Sequence, residues 1–278
     1  MGPATRGPAG RSYVHSPGPG WDPDRADDWH CSRPAAARGY VRPAVPGEWD
    51  PETENWLRWA RTPSFDAYWY YRDAFFDSIV PSPAGRTLEL GCGEGRVARD
   101  LVERGHDVTA LDSAAGLVRH AHAAAPEIAY LVAGGARLPI QDGCFDLVVA
   151  YNSLQVVDDM RAAVRECARV LRPGGQLCFC VAHPVTDIGR WIEDADGVAF
   201  VVRPSYFERA RVEDTVEVDG FRMTFRGWTY TLEDYAVALE DAGLAIDALR
   251  EPVPAPGGRF RRWSELPLFM NVRAVSLR

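Results

Sequence analysis

Glu89, Gly91, Cys92, Gly93, Gly95 and Asp112 lie close together in the sequence and combine acidic side chains with backbone freedom. Glycine at a tight corner permits positive φ and lets a ligand lie against bare backbone. A carboxylate at the tip of a neighbouring strand can accept hydrogen bonds from two ribose hydroxyls. Those residue types in that order suit a nucleoside. A second chemical candidate is His183, in Ala182-His183-Pro184, whose imidazole is the side chain best suited to take a proton near neutral pH.

The elements that must position these residues follow from periodicity. Thr87-Leu88-Glu89-Leu90 alternates as a short strand, and Val97, Ala98, Leu101 and Val102 recur at helical spacing. The glycines therefore fall where a strand turns into a helix, and a second strand over 108–111 ends on Asp112. This is a βαβ unit. Ser113 is placed to cap a helix through Ala125, and strands are predicted over 128–132, 145–151 and 176–182. A helix over 158–171, capped by Asp158 or Asp159, stops at Arg172-Pro173-Gly174-Gly175. A final helix over 231–242 and strands over 245–250 and 268–277 complete a doubly wound, mostly parallel α/β sheet.

Two helices precede this unit, within 51–80. The first carries Trp56, Leu57 and Trp59; the second, over 64–80 with Ser64 as its cap, carries Tyr68, Tyr71, Phe75 and Phe76. Tyr68 and Tyr71 stand three apart and can present two hydroxyls to one ligand, or simply face the core. Residues 183–230 change to short strands, turns and aromatics, read as a lid-like insertion after the fifth strand. Residues 1–47 are rich in Pro, Gly, Ala and Arg and are read as a disordered tail, leaving 48–278 as one domain.

Composition excludes several functions. A net charge of −8 over 278 residues gives no broad basic face for nucleic acid or an anionic membrane. No apolar run is long enough for a membrane span, and the N-terminus lacks a secretory apolar core. The six cysteines form no metal-ligand spacing and read as small buried hydrophobes in a reducing cytoplasm. Every basic residue is arginine, so the Tyr-x-x-x-Lys proton relay of nicotinamide oxidoreductases cannot be built.

Four ordered segments carry a resemblance. Glu89-Leu90-Gly91-Cys92-Gly93-Glu94-Gly95 resembles motif I of the class I methyltransferases that use S-adenosylmethionine, and Asp112 matches their ribose-binding acid. Residues 133–139 with Phe145-Asp146-Leu147-Val148 resemble their adenine loop and fourth strand, and 171–175 the turn into their fifth. The resemblance implies a Rossmann-like seven-stranded sheet and S-adenosylmethionine as cofactor. It places Glu89, Gly91, Cys92 and Gly93 at the methionine portion, Asp112, Ser113 and Leu117 along the adenosine, and Gly135 and Ala136 at adenine. Tyr151 would lie by the sulfonium or methionine portion; apart from the resemblance, Asn152, just past the fourth strand, is read as a cofactor or substrate contact or a turn residue, and Tyr68 and Tyr71 as cofactor contacts from the covering helix. Gly134 stands where many relatives have an acid, so adenine must be held by backbone groups.

A sulfonium methyl needs an aligned nucleophile and, for a hydroxyl or amine, a base. His183 is the candidate base, or else a histidine locked by local hydrogen bonds beside Pro184, and Gln155 and Tyr206 are candidate acceptor contacts. The aromatic surroundings favour a small organic acceptor, methylated on O or N, as in bacterial specialised metabolism. A homodimer is compatible with this reading. A non-catalytic cofactor-binding protein on the same fold is the main alternative.

Overall fold

The computed structural model describes residues 49–83, 85–194, 197–202, 205–254 and 260–278. The tail expected over 1–47 lies outside the described residues. In chain order the helices and strands are α1 (Thr53–Arg61), α2 (Tyr68–Ser78), β1 (Arg86–Leu90), α3 (Arg96–Glu103), β2 (Asp107–Asp112) and α4 (Ala115–Ala124). Then come β3 (Ala129–Val132), β4 (Phe145–Tyr151), α5 (Met160–Val170) and β5 (Leu171–Ala182). Two hairpins follow, β6 (Gly189–Asp194) with β7 (Gly197–Val202) and β8 (Arg211–Val218) with β9 (Phe221–Trp228). The described chain closes with α6 (Leu232–Asp241), β10 (Leu244–Arg250) and β11 (Phe269–Ser276).

The main sheet has seven strands in the order β10-β11-β5-β4-β1-β2-β3. Strand β11 runs antiparallel to both its neighbours, and the other pairings are parallel. The order reverses between β1 and β4, which opens a crevice at their carboxyl ends, where open α/β sheets bind ligands. Each sheet face buries its own apolar set. Leu88, Leu90, Val148 and Phe179 pack with α5 and α6, while Ala110, Val149, Tyr151 and Cys180 pack with α2, α3 and α4.

Three local expectations are corrected. Helix α2 starts at Tyr68, because Asp66 and not Ser64 accepts the Tyr68 N–H. Helix α4 has Ala114 at its N-cap, since the Asp112 carboxylate accepts the Ala114 N–H and leaves Ser113 outside that role. Strand β5 begins at Leu171, with the Arg-Pro-Gly-Gly segment forming an irregular start between the Phe145–Leu171 and Leu147–Gln176 pairs. The Thr231 cap is observed as a reciprocal capping box with Asp234. Asp159 caps α5 through the Ala162 N–H.

The thiols also divide. Cys92, Cys167, Cys178 and Cys180 are free and buried, as expected, whereas Cys144 is disulfide-bonded. Its packing as a small buried group does not reveal this.

Candidate functional site

The corner after β1 is built by backbone geometry. Gly91 and Gly93 adopt φ of 74° and 53°, and both Gly91 and Cys92 donate to the Leu111 carbonyl, which ties the turn to β2. A Cβ on Gly91 would stand 2.4 Å from the Ser153 Cβ, so no other residue fits there without displacement. Ser153 itself donates from Oγ to the Leu90 carbonyl at 2.6 Å, joining the exit of β4 to that of β1. At the tip of β2, Asp112 accepts the Gly93 N–H through Oδ2 and the Ala114 N–H through Oδ1, each at 2.8 Å. The expected ribose acid thus also braces the glycine turn.

Two buried glutamates flank the corner and differ sharply. Glu94 is 1% exposed but paired, with Arg61 at 3.0 Å and Arg99 at 2.8 Å. Glu89 is equally buried, and its Oε2 has no hydrogen-bond partner. Burial, with Asp112 and Glu94 adding like charge, pushes its carboxyl up to about 8. A buried carboxylate without a partner beside bare glycine backbone is a site prepared for a cation or a strong donor.

Helix α1 lies over this corner. The Trp56 indole nitrogen comes within 3.0 Å of the point where a Gly93 Cβ would sit, and Leu57 packs with Ala114 and Leu117. Sequence reasoning assigned Trp56 only to an apolar helix face. Arg96 anchors the arrangement from below, bonded to Asp66 at 2.7 Å and to the Ala60 carbonyl, with its guanidinium over the Tyr68 and Trp56 rings. The β8–β9 hairpin meets α1 from the far side through Phe225 against Trp56 and Trp59, and Arg226 reaches Glu52 at 2.9 Å.

The remaining candidates separate into three groups. Gly135 sits against Leu90, which brings the 134–136 loop to the corner, with Ala136 exposed. Cys92 is buried, and burial pushes its thiol well above the ordinary range. Asn152 has φ 52° and donates from its backbone to the Cys180 carbonyl, while its Oδ1 accepts from Gln155 at 3.4 Å. The Gln155 Oε1 is buried with no partner.

The two tyrosines of α2 do not act as a pair. The Tyr68 hydroxyl donates to Asp100 behind α3, away from the corner, whereas the Tyr71 hydroxyl is buried without a partner. Tyr151, at the end of β4, also has a buried hydroxyl with no partner. Tyr206 accepts the Leu232 N–H at 2.8 Å, a bond that fixes the start of α6.

His183 fits the second of its two readings, a ring held by hydrogen bonds. Its Nδ1 accepts the Val185 N–H at 3.3 Å, which places the ring proton on Nε2, and that nitrogen donates to Glu251 at 2.9 Å. The ring is buried, and that burial lowers its proton affinity despite Glu251. With both nitrogens engaged, the imidazole has no lone pair for an acceptor's proton in this arrangement. It pins the turn after β5 instead.

Comparison with known proteins agrees with this geometry. A family model described as a methyltransferase domain matches residues 88–179. A crystal structure of an S-adenosylmethionine-dependent methyltransferase from Mesorhizobium loti superposes with a TM-score of 0.62 at 26% identity, covering 76% of this chain and 98% of that one. Residues 88–179 thus carry a methyltransferase domain, and the chain is similar to the class I S-adenosylmethionine-dependent methyltransferases. Among curated relatives, it is 36% identical over 107 residues to a demethylmenaquinone methyltransferase of Beutenbergia cavernae, covering 38% of this chain and 45% of that protein. It is 35% identical over 121 residues to a probable S-adenosylmethionine-dependent methyltransferase of Mycolicibacterium smegmatis, covering 43% and 47% respectively. The chain therefore spans less than half the length of these curated relatives. The cofactor of the family is S-adenosylmethionine, and the corner fits it: an unpartnered carboxylate for an ammonium, bare glycine backbone, and an acid at the second strand tip.

Proposed function

We propose that this chain transfers a methyl group from S-adenosylmethionine to an O or N atom of a small organic molecule. The observation that carries the reading is the Glu89 carboxylate, buried, without a partner, and two residues before Gly91. S-adenosylmethionine brings an ammonium for that carboxylate and supplies an electrophilic methyl. Glu89 would hold the amino-acid end, Asp112 the ribose, and Leu117, Gly135 and Ala136 the adenine side. Helix α1 and the β8–β9 hairpin then act as the covering lid and exclude water, through Trp56 over Gly93 and the Phe225 contacts.

A small acceptor is supported by the aromatic enclosure, and bacterial specialised metabolism is the setting this suggests. Nucleic acid is disfavoured by the charge of −8. Among the described residues no helix is long and apolar enough to cross a membrane, and no group of three metal-ligating side chains occurs. Four free buried thiols support a reducing cytoplasm, with Cys144 as the exception.

Calorimetric titration with S-adenosylmethionine, S-adenosylhomocysteine and NAD tests the reading. Saturable micromolar-range binding of the first two and none of NAD is expected. Binding of NAD alone overturns it, and binding of both methyl-cofactor forms without turnover on any acceptor favours the non-catalytic alternative.

A further inference from the structure

Three buried polar groups, one on α2 and two on the sheet, have no role in the proposed function. The Tyr71 hydroxyl, the Tyr151 hydroxyl and the Asn271 Oδ1 are all buried without a hydrogen-bond partner. Their residues are 1%, 6% and 1% exposed. Buried polar atoms are nearly always paired, so one on α2 and two on the sheet need an explanation.

Topology places them together. Tyr151 pairs with Cys180 in the β4–β5 register, and Cys180 pairs with Asn271 in the β5–β11 register, so the Tyr151 and Asn271 side chains leave the same sheet face, on the side where Tyr71 of α2 packs. Phe269, two residues before Asn271 on β11, shares that face. Its ring lies 5.0 Å from that of Tyr71 and 6.4 Å from that of Tyr151. Phe260 stands 6.4 Å from Tyr71, and Phe75 lies 5.1 Å from Tyr151. The polar ends are therefore set within aromatic walls, between α2 and the sheet. Tyr151 is one residue from Asn152 and two from Ser153, which abuts Gly91. The group begins at the cofactor corner.

The groups present hydroxyls and an amide and no charge. Burial raises both phenols above their ordinary range, so they remain neutral donors and acceptors. We propose that Tyr71, Tyr151 and Asn271 form the recognition site for the methyl acceptor, and that the acceptor is an uncharged ring bearing hydroxyl or keto groups. The proposal rests on the methyltransferase reading. The rings of Phe260, Phe269 and Phe75 would flank such a ring, while the two phenols bond its oxygens and the Asn271 Oδ1 accepts from one of its hydroxyls. An unpaired buried group is tolerated in the free protein because it is satisfied in the complex.

The test uses thermal unfolding of the full chain and saturation-transfer NMR with hydroquinone as probe and benzene as apolar control, in the presence of S-adenosylhomocysteine. Tyr71→Phe, Tyr151→Phe and Asn271→Leu are each expected to melt at or above the wild-type temperature. Hydroquinone should bind the wild type, and at least fivefold more weakly each variant, with benzene unaffected. Asn271→Leu should retain S-adenosylhomocysteine affinity. Variants that melt several degrees lower, or fail to fold, show that the groups have structural partners and overturn the proposal. So does hydroquinone binding no better than benzene to a wild type that binds S-adenosylhomocysteine. A wild type that does not bind S-adenosylhomocysteine overturns the methyltransferase reading instead.

Discussion

Replacing Glu89 by Gln probes the corner most directly. In the ligand-free protein the Glu89 carboxyl moves from an ordinary 4.5 up to about 8, chiefly through burial. At roughly 1.4 kcal/mol per pH unit, ionising it in the folded chain costs up to roughly 5 kcal/mol. The folded state then binds the proton more tightly than the unfolded state. Stability of the ligand-free protein accordingly falls as pH rises from 4.5 to about 8 and levels off above. An ammonium beside Glu89 reverses the preference and favours the charged form. Below pH 8, binding of S-adenosylhomocysteine must therefore expel a proton, and affinity should climb by up to about tenfold per pH unit.

Glu89→Gln keeps the shape and removes the charge. It should abolish the proton release and flatten the pH profile. Affinity should fall about 10- to 100-fold, the equivalent of one charge-assisted hydrogen bond. The same variant should melt several degrees above the wild type at pH 8 without ligand, and show no advantage at pH 4.5. Calorimetry in buffers of differing ionisation enthalpy counts the protons. Wild-type affinity and undiminished proton release in the Glu89→Gln variant would refute the assignment of the ammonium to this carboxylate.

Other perturbations follow from the same geometry. Asp112→Ala removes the acceptor for two backbone N–H groups as well as the expected ribose contact, so S-adenosylhomocysteine affinity should drop more than tenfold in calorimetry. Gly91→Ala forces a Cβ to 2.4 Å from Ser153 at φ 74° and should lower the melting temperature by several degrees, whereas Gly134→Ala meets nothing within 4 Å and should leave it unchanged. His183→Ala should lower the melting temperature by freeing the turn after β5. It should not remove the acidic limb of the pH–rate profile, where a general base would titrate, once an acceptor is in hand. Because burial lowers the proton affinity of His183, wild-type stability should fall as pH drops below 6.5, and less so in the variant.

Much of the scaffold was legible in the sequence because its signals are local. Alternation in β1, the continuous apolar run of β4, helical spacing in α3 and α5, the Thr231 cap and the glycine corner each depend on a few adjacent residues. What escaped depends on contacts between distant segments. Nothing near Trp56 shows that it will lie on Gly93, and nothing near Asn271 shows that its amide will face Tyr151 across β5. Tyr68 and Tyr71 have the spacing of a ligand-facing pair, yet Asp100 on α3 captures one hydroxyl and not the other. His183 occupies the position of a base, but Glu251 lies 68 residues away in the chain and takes its free nitrogen.

The charge of the corner shows why position alone misleads. Glu94 stands at the helix entry, where an exposed carboxylate would repel a pyrophosphate and attract a cation. In the structure Arg61 and Arg99 neutralise it, so it faces protein and not ligand. Discrimination passes to Glu89, five residues earlier, which is buried to the same degree and has a carboxylate oxygen without a partner. A pyrophosphate brought to Gly91–Gly93 would meet that carboxylate in a medium where like charges at close range repel by several kcal/mol. A ligand ending in an ammonium would instead relieve both the desolvated charge and the unmet hydrogen bond. Arg61→Ala should then act through Glu94: with Arg99 as its remaining partner, Glu94 exerts more of its negative charge on Glu89, raising the Glu89 carboxyl further and shifting the pH profile of S-adenosylhomocysteine binding upward. A profile that stays in place would mean that the two acids are not coupled and that Glu94 has no part in setting the corner's charge.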